Sequence, residues 1–153
     1  MRIEVRRYDE TDREAVLALA PRLAEGVAEW RPAERVRRAA VGWVEDALKR
    51  AGEPARFVFV AAADGQVAGF AAGEQRTHWT GQVDLYVGEL VVDVEWERKG
   101  VGRALVDAVS EHAGRLGIDR VTLETGAANT PARRFYRSLG FQEEDVRLTR
   151  VLS

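Results

Sequence analysis

The sequence contains no cysteine and only two histidines among its 153 residues. Without cysteine the chain cannot use a disulfide, a thiolate nucleophile, an iron–sulfur cluster or a cysteine-ligated zinc ion. The two histidines, His78 and His112, lie far apart along the chain, which disfavours a histidine-rich metal site. We therefore expect no metal, and chemistry that uses oxygen and nitrogen groups.

A charge excess and long apolar runs are also missing. The 23 basic and 25 acidic residues give a net charge of −2, which supplies no positive field for nucleic acid. No apolar stretch approaches the roughly 20 residues that cross a bilayer, and residues 1–7 lack the apolar core of a signal peptide. We expect no nucleic-acid partner, no membrane partner and a cytoplasmic location.

The chain reads as a single domain over residues 1–153, because no linker or low-complexity segment interrupts it. Strand-like alternation and helical spacing predict an ordered series of elements. That series is a strand at 3–5, a helix opened by Thr11–Glu14, a helix at 33–51, strands at 56–61, 66–71 and 83–92, a helix at 101–116, a strand at 121–125, a short helix at 131–139 and a final strand at 147–152. The order predicts a mixed α/β domain with an antiparallel first half and a βαβ crossover behind it.

A short glycine-bearing loop joins the strand at 83–92 to the helix at 101–116. Glycine lets the backbone turn tightly, and the N–H groups at a helix N-terminus attract an anion. The basic side chains Arg98, Lys99 and Arg103 lie beside those groups. A pyrophosphate suits this loop, although a plain turn with solvated side chains has the same residues. The third glycine of a Rossmann fingerprint is replaced by Leu105, and a P-loop's Gly-Lys-Ser/Thr is absent.

A second block follows, with Asn129, Ala132, Phe135-Tyr136 and Gly140-Phe141 at fixed spacing. With both blocks, the chain resembles the GNAT superfamily of N-acetyltransferases. The loop resembles that family's Gln/Arg-x-x-Gly-x-Gly/Ala motif, with Glu97 at the Gln/Arg position, and the later block matches Asn-x-x-Ala-x-x-Phe-Tyr-x-x-x-Gly-Phe. The likeness is close over about residues 85–145. It implies a mixed central sheet of six to seven strands and about four helices, with strands four and five parallel and splayed.

The resemblance implies that acetyl-CoA, as a co-substrate, lies between the splayed strands at 85–92 and 121–125. Backbone groups of three residues would pair with its pantetheine arm: Leu90, Val91 and Val92. Backbone amides of the loop would hold its pyrophosphate: Arg98, Lys99, Gly100, Val101, Gly102, Arg103 and Ala104. Asn129 would contact the pantetheine side. The acidic Glu97, where the family has glutamine or arginine, stands next to this anion site.

The resemblance also implies the catalytic groups. Tyr136 matches the family's usual general acid, which protonates the departing thiolate, although Phe135-Tyr136 could instead anchor the helix to the sheet. The base that deprotonates the amine is either Glu89, in the first splayed strand, or Glu124, in the second. The sequence alone does not distinguish the two.

The activity implied is direct acetyl transfer from acetyl-CoA to a primary amine of a small molecule. The alternatives are a protein or peptide N-acetyltransferase and a non-catalytic acyl-CoA-binding module. Family members often dimerise, so a homodimer is an expected assembly.

Away from the motifs, we expect His112 on the solvent side of its helix and Trp43 in the core.

Overall fold

A five-stranded sheet in the order β1–β2–β3–β4–β5 runs through residues 2–153, the part of the chain that this computed structural model describes. The strands are β1 (Ile3–Arg7), β2 (Arg56–Ala63), β3 (Gln66–Thr77), β4 (Val83–Val92) and β5 (Val121–Leu123). The helices are α1 (Arg13–Leu19), α2 (Ala33–Lys49), α3 (Val101–Arg115) and α4 (Thr130–Ser138). Short 3₁₀ turns cover Glu10–Asp12, Ala20–Ala24 and Val94–Trp96.

The strand directions confirm the mixed α/β fold. Strands β1 to β4 pair antiparallel, and α3 carries the chain across to β5, which pairs parallel with β4. The β2–β3 turn is Asp64-Gly65, and both residues have positive φ, as the Asp-Gly signal predicts. The four helices and the parallel pair β4–β5 also agree with the sequence-based expectation.

The predicted number of strands is wrong, since the sheet has five strands and not six to seven. Within residues 2–153, no strand forms at 147–152, although Val146 and Leu148 alternate with polar residues as in a strand. A strand needs a backbone partner, and these side chains lie exposed with no neighbouring strand beside them. The apolar pattern alone therefore predicted a strand, but no strand of the sheet pairs with this segment.

Each face of the sheet is covered by helices, because alternate residues of β2, β3 and β4 are apolar on both sides. One face packs on α3, with Phe57, Phe59, Leu85, Leu105 and Val109 among its buried residues. The other packs on α1 and α2, with Val16, Val44, Val60, Phe70 and Val91. Each such side chain stabilises the fold by about 1.5–3 kcal/mol relative to its exposed state.

Two expectations about aromatic residues are wrong. The His112 ring packs against Phe57 and Phe59, with centroid distances of 5.7 and 5.5 Å, because the sheet-facing stripe of α3 is wide enough to include it. Trp43 is 57% exposed, since the buried stripe of α2 passes beside it through Ala40 and Val44.

None of the helices within residues 2–153 has both the length and the apolar character needed to cross a membrane.

Helix α4 packs on the first turn of α3 at a glycine. A Cβ built on Gly102 would lie 3.0 Å from the tip of the Phe135 ring, closer than ordinary van der Waals contact. The absence of a side chain at this position therefore lets α4 approach α3, in addition to any role of Gly102 in binding an anion.

We expect Gly102→Val to reduce the free energy of unfolding by about 1–3 kcal/mol, because its methyl groups would push Phe135 and α4 away. The matched control is Gly114→Val in the same helix, where an added Cβ meets nothing within 4 Å. Chemical denaturation of both variants measures the difference. Equal reductions in the free energy of unfolding for the two variants would show that Phe135 can move aside at little cost in stability.

Candidate functional site

Strand β4 continues past the point where its parallel partner ends. The pairing of β4 with β5 covers only Leu85 to Val87, whereas β4 runs on to Val92. A bulge marks the change, because Gly73 pairs with Val87 and the next residue along β3, Ala72, pairs with Glu89. Gly88 is thus the extra residue of the bulge. Beyond it, the edge of β4 that β5 covered is open.

Alternation of the backbone decides which groups face this open edge. The N–H of Asp93 donates to the carbonyl of Ala68 at 2.8 Å, so Asp93 is turned toward the β3 side. Successive residues alternate sides, which turns Val91 toward β3 and turns Leu90 and Val92 toward the open edge. The structure therefore places two of the three expected backbone contacts at the edge, and the third, Val91, belongs to the β3 ladder.

The loop between β4 and α3 has the left-handed backbone that glycine favours. Gly100 has a φ of 90°, and Arg98 also has a positive φ, of 60°. The N–H of Ala104 donates to the carbonyl of Gly100 at 3.0 Å, which closes the first turn of α3. The amides of residues 101–103 come before that bond and are the ones that a helix N-terminus offers to an anion.

The side chains around the loop have defined neighbours. The Lys99 ammonium lies over the ring of Trp96, 5.1 Å from its centroid. Glu97 pairs with Arg22, whose Nη2 lies 2.6 Å from its Oε1. Arg22 comes from the 3₁₀ turn that precedes α2, and no sequence motif indicated it. The acidic side chain at the motif's first position is therefore matched by a cation from another element.

Asn129 caps α4 instead of projecting freely. Its side-chain oxygen accepts a hydrogen bond from the N–H of Ala132 at 3.2 Å, which makes Asn129 the N-cap of the helix. Gly26 lies against it, and a Cβ on Gly26 would be 2.3 Å from the Asn129 Cβ. A Cβ on Gly126 would likewise be 2.1 Å from the carbonyl oxygen of Gly26. The segment before α2 thus touches the loop after β5.

Tyr136 lies in an apolar environment on α4. Its ring is between Phe135 and Phe141, at centroid distances of 5.2 and 5.5 Å. Burial raises the pKa of Tyr136 to about 12, because the phenolate would lose its hydration. The hydroxyl therefore stays protonated over the whole physiological range.

The two candidate bases have different environments. Glu89 pairs with Ala72, which faces α1 and α2, and burial raises the pKa of Glu89 to about 7. Arg56 opposes that rise, whereas Glu74 and Asp46 add to it. Glu124 is exposed and follows the last residue of β5, since the strand is two residues shorter than predicted.

Tyr86 is a residue of this region that the motifs did not indicate. It pairs with Glu74 on the face of β4 that carries Glu89, and the Arg76 guanidinium lies 3.7 Å from its ring centroid. Burial is the main cause that raises the pKa of Tyr86, and Glu124 and Glu89 both add to it. Both candidate bases therefore act on the phenol, which lies in the part of β4 that still pairs with β5, opposite Thr122.

Within residues 2–153, no three His, Asp or Glu side chains come together as a metal site requires.

Known proteins resemble the chain in sequence and in fold. A mycothiol acetyltransferase of Thermobifida fusca is 36% identical over 126 residues, which is 71% of this chain and 37% of that protein. The ribosomal protein bS18-alanine N-acetyltransferase of Escherichia coli is 36% identical over 58 residues, 38% of this chain and 39% of that protein. A solved aminoglycoside N-acetyltransferase in complex with CoA has a TM-score of 0.69 at 22% identity, covering 98% of this chain and 95% of that one.

The matches to the first curated relatives span about 29–40% of those proteins' own lengths. A family model, described as the acetyltransferase (GNAT) family, matches residues 24–141, which is more than half of the chain and includes both motifs. The chain belongs to the acetyltransferase (GNAT) family.

Proposed function

We propose that this protein is an acyltransferase that moves an acetyl group from acetyl-CoA to a primary amine. One observation carries the proposal. Strand β4 loses its pairing with β5 after Val87, and Glu89 is the first β4 residue paired with β3 beyond that point. Burial raises the pKa of Glu89 to about 7. An open strand edge can pair with an extended amide-bearing chain. A carboxylate whose pKa matches the working pH is suited to take a proton from an amine.

The chain offers groups that fit acetyl-CoA. Leu90 presents its N–H and carbonyl to the open edge, and Val92 presents its N–H, since its carbonyl accepts a hydrogen bond from Arg22. The amides of residues 101–103 and the basic side chains of the loop suit a pyrophosphate. Asn129 lies at the start of α4, beyond the end of β5, where the pantetheine side is expected.

Glu89 is the base in this proposal. A primary amine has a pKa near 10 and must lose a proton before it attacks. The Glu89 carboxylate takes a proton from the ammonium form of the amine, directly or through water, and passes it to solvent. The free amine nitrogen then bonds to the acetyl carbon and gives up a second proton to Glu89 or water. The carbon–sulfur bond breaks, and CoA leaves as a thiolate that takes up a proton. Glu124 is the weaker candidate, because its carboxylate is exposed and lies beyond the end of β5.

Tyr136 assists the departure of sulfur. The family resemblance implies that Tyr136 protonates the departing thiolate. In the structure the pKa of Tyr136 rises to about 12, above the value of about 8.5 for a thiol. We infer that the hydroxyl donates a hydrogen bond to the sulfur as charge develops there, and that full transfer of its proton is not required.

A small-molecule amine is our proposed acceptor. Among the relatives, the match to the enzyme named for mycothiol covers 71% of this chain, whereas the match to the enzyme named for a ribosomal protein covers 38%. The second match keeps a protein or peptide amine as the alternative acceptor. A non-catalytic acyl-CoA-binding module is the remaining alternative.

The proposal is tested by release of CoA thiol when the protein meets acetyl-CoA and a panel of small primary amines and N-terminal peptides. We expect thiol release that depends on both acetyl-CoA and an amine. Faster release with peptides than with any small amine would favour the protein acceptor. Acetyl-CoA binding without any release would favour the binding module and contradict the catalytic proposal.

For the base, we expect Glu89→Gln to lower kcat at pH 7 by about 10²–10⁴-fold, because the isosteric amide cannot accept a proton. In the parent protein the rate should rise as pH passes about 7, where Glu89 becomes ionised. The variant should lose that rise and recover only at high pH, where free amine is abundant. Glu124→Gln is the matched control and should keep the parent pH profile. The opposite pattern would assign the base to Glu124.

For the acid, we expect Tyr136→Phe to lower kcat by about 10²–10³-fold with little change in acetyl-CoA affinity, as for loss of one preorganised donor. The control is Tyr8→Phe, because the Tyr8 hydroxyl is also buried and has no hydrogen-bond partner within the described residues. That control should retain full activity and folding. Full activity of Tyr136→Phe would show that sulfur leaves without this donor.

A further inference from the structure

Glu97, at the start of the glycine-bearing loop between β4 and α3, forms an ion pair with an arginine from outside that loop. Arg22 Nη2 lies 2.6 Å from Glu97 Oε1 and 3.0 Å from Glu25 Oε2. The same guanidinium donates through Nη1 to the carbonyl of Val92, the last residue of β4. One cation therefore ties together two carboxylates and the end of the strand that leads into the loop.

Arg22 is well placed to hold a fixed position. Its side chain is 22% exposed, whereas Glu25 and Glu97 are 60% and 49% exposed. The donors of a guanidinium form a rigid fork, so contacts to three acceptors define both its position and its orientation. Burial lowers the pKa of Arg22, but hydrogen bonds and charge from Glu25 and Glu97 together outweigh it, so the pKa rises and Arg22 stays charged.

Glu97 immediately precedes the loop whose amides and basic side chains suit a pyrophosphate. A carboxylate within a Debye length of that anion, about 8 Å at physiological ionic strength, repels it unless a cation compensates. Arg22 is that cation. Without it, Glu97 and Glu25 would lose the positive charge that they share, next to the anion site.

We propose that Arg22 is a positioning residue for the cofactor: it neutralises Glu97, and this lets a loop that begins with a carboxylate accept the diphosphate of acetyl-CoA. This inference rests on the proposed function. Arg22 acts through Glu97 and not by contact with the phosphates, so its importance depends on the acid being present.

The test is a double-mutant cycle in acetyl-CoA binding, measured by titration calorimetry at low and at high ionic strength on the full chain. Arg22→Gln should weaken binding roughly tenfold at low salt, because Glu97 is then uncompensated, and by less at high salt, where the repulsion is screened. Glu97→Gln should bind at least as tightly as the parent. The double variant Arg22→Gln/Glu97→Gln should recover affinity to within about twofold of Glu97→Gln.

Arg38→Gln is the matched control, because Arg38 forms an exposed ion pair with Glu34 on α2 and should leave binding unchanged. Thermal unfolding of every variant separates a binding defect from a folding defect. Parent-like binding by Arg22→Gln would overturn the inference, and so would a double variant as weak as Arg22→Gln, which would mean that Arg22 touches the cofactor itself. Absence of acetyl-CoA binding by the parent protein would overturn the proposed function, and this inference with it.

Discussion

The loss of pairing between β4 and β5 after Val87 is the constraint on which the rest of the site depends. Backbone groups in a sheet normally satisfy one another, so an edge left open in mid-sheet must be met by another partner. The bulge at Gly88 creates this situation by shifting the register where β5 ends. The same shift places Glu89 on the face covered by α1 and α2, where burial moves its pKa into the working range.

The elements around the opening come from distant parts of the sequence. The turn before α3 supplies amides and positive charge, the segment before α2 supplies Arg22, and α4 supplies Tyr136. Their positions are set by short-range packing, such as the contact of Phe135 with Gly102. They bring together a strand edge, a helix N-terminus and two groups whose pKa values are raised by burial.

Much of the fold and the family could be predicted from the sequence, because the signals are local. The Asp64-Gly65 turn, the period of α3 and the two motif blocks each depend on neighbouring residues. The errors arose where a distant partner decides the outcome. The apolar pattern at 147–152 does not show whether another strand lies beside this segment to pair with it. The environment of His112 depends on Phe57 and Phe59, more than fifty residues earlier. The Arg22–Glu97 pair joins side chains 75 positions apart, and no spacing rule indicates it.

The contact of Gly26 with Gly126 limits how the two chain segments around it could vary in sequence. Here two chain segments meet backbone to backbone, so neither can gain a side chain at the contact without moving the other. The segment before α2 and the loop that leads to α4 are therefore mechanically coupled. An exchange of the first segment would have to keep both glycines, or it would also displace the helix that carries Tyr136. Sequence variation in this region is thus confined to residues that flank the contact.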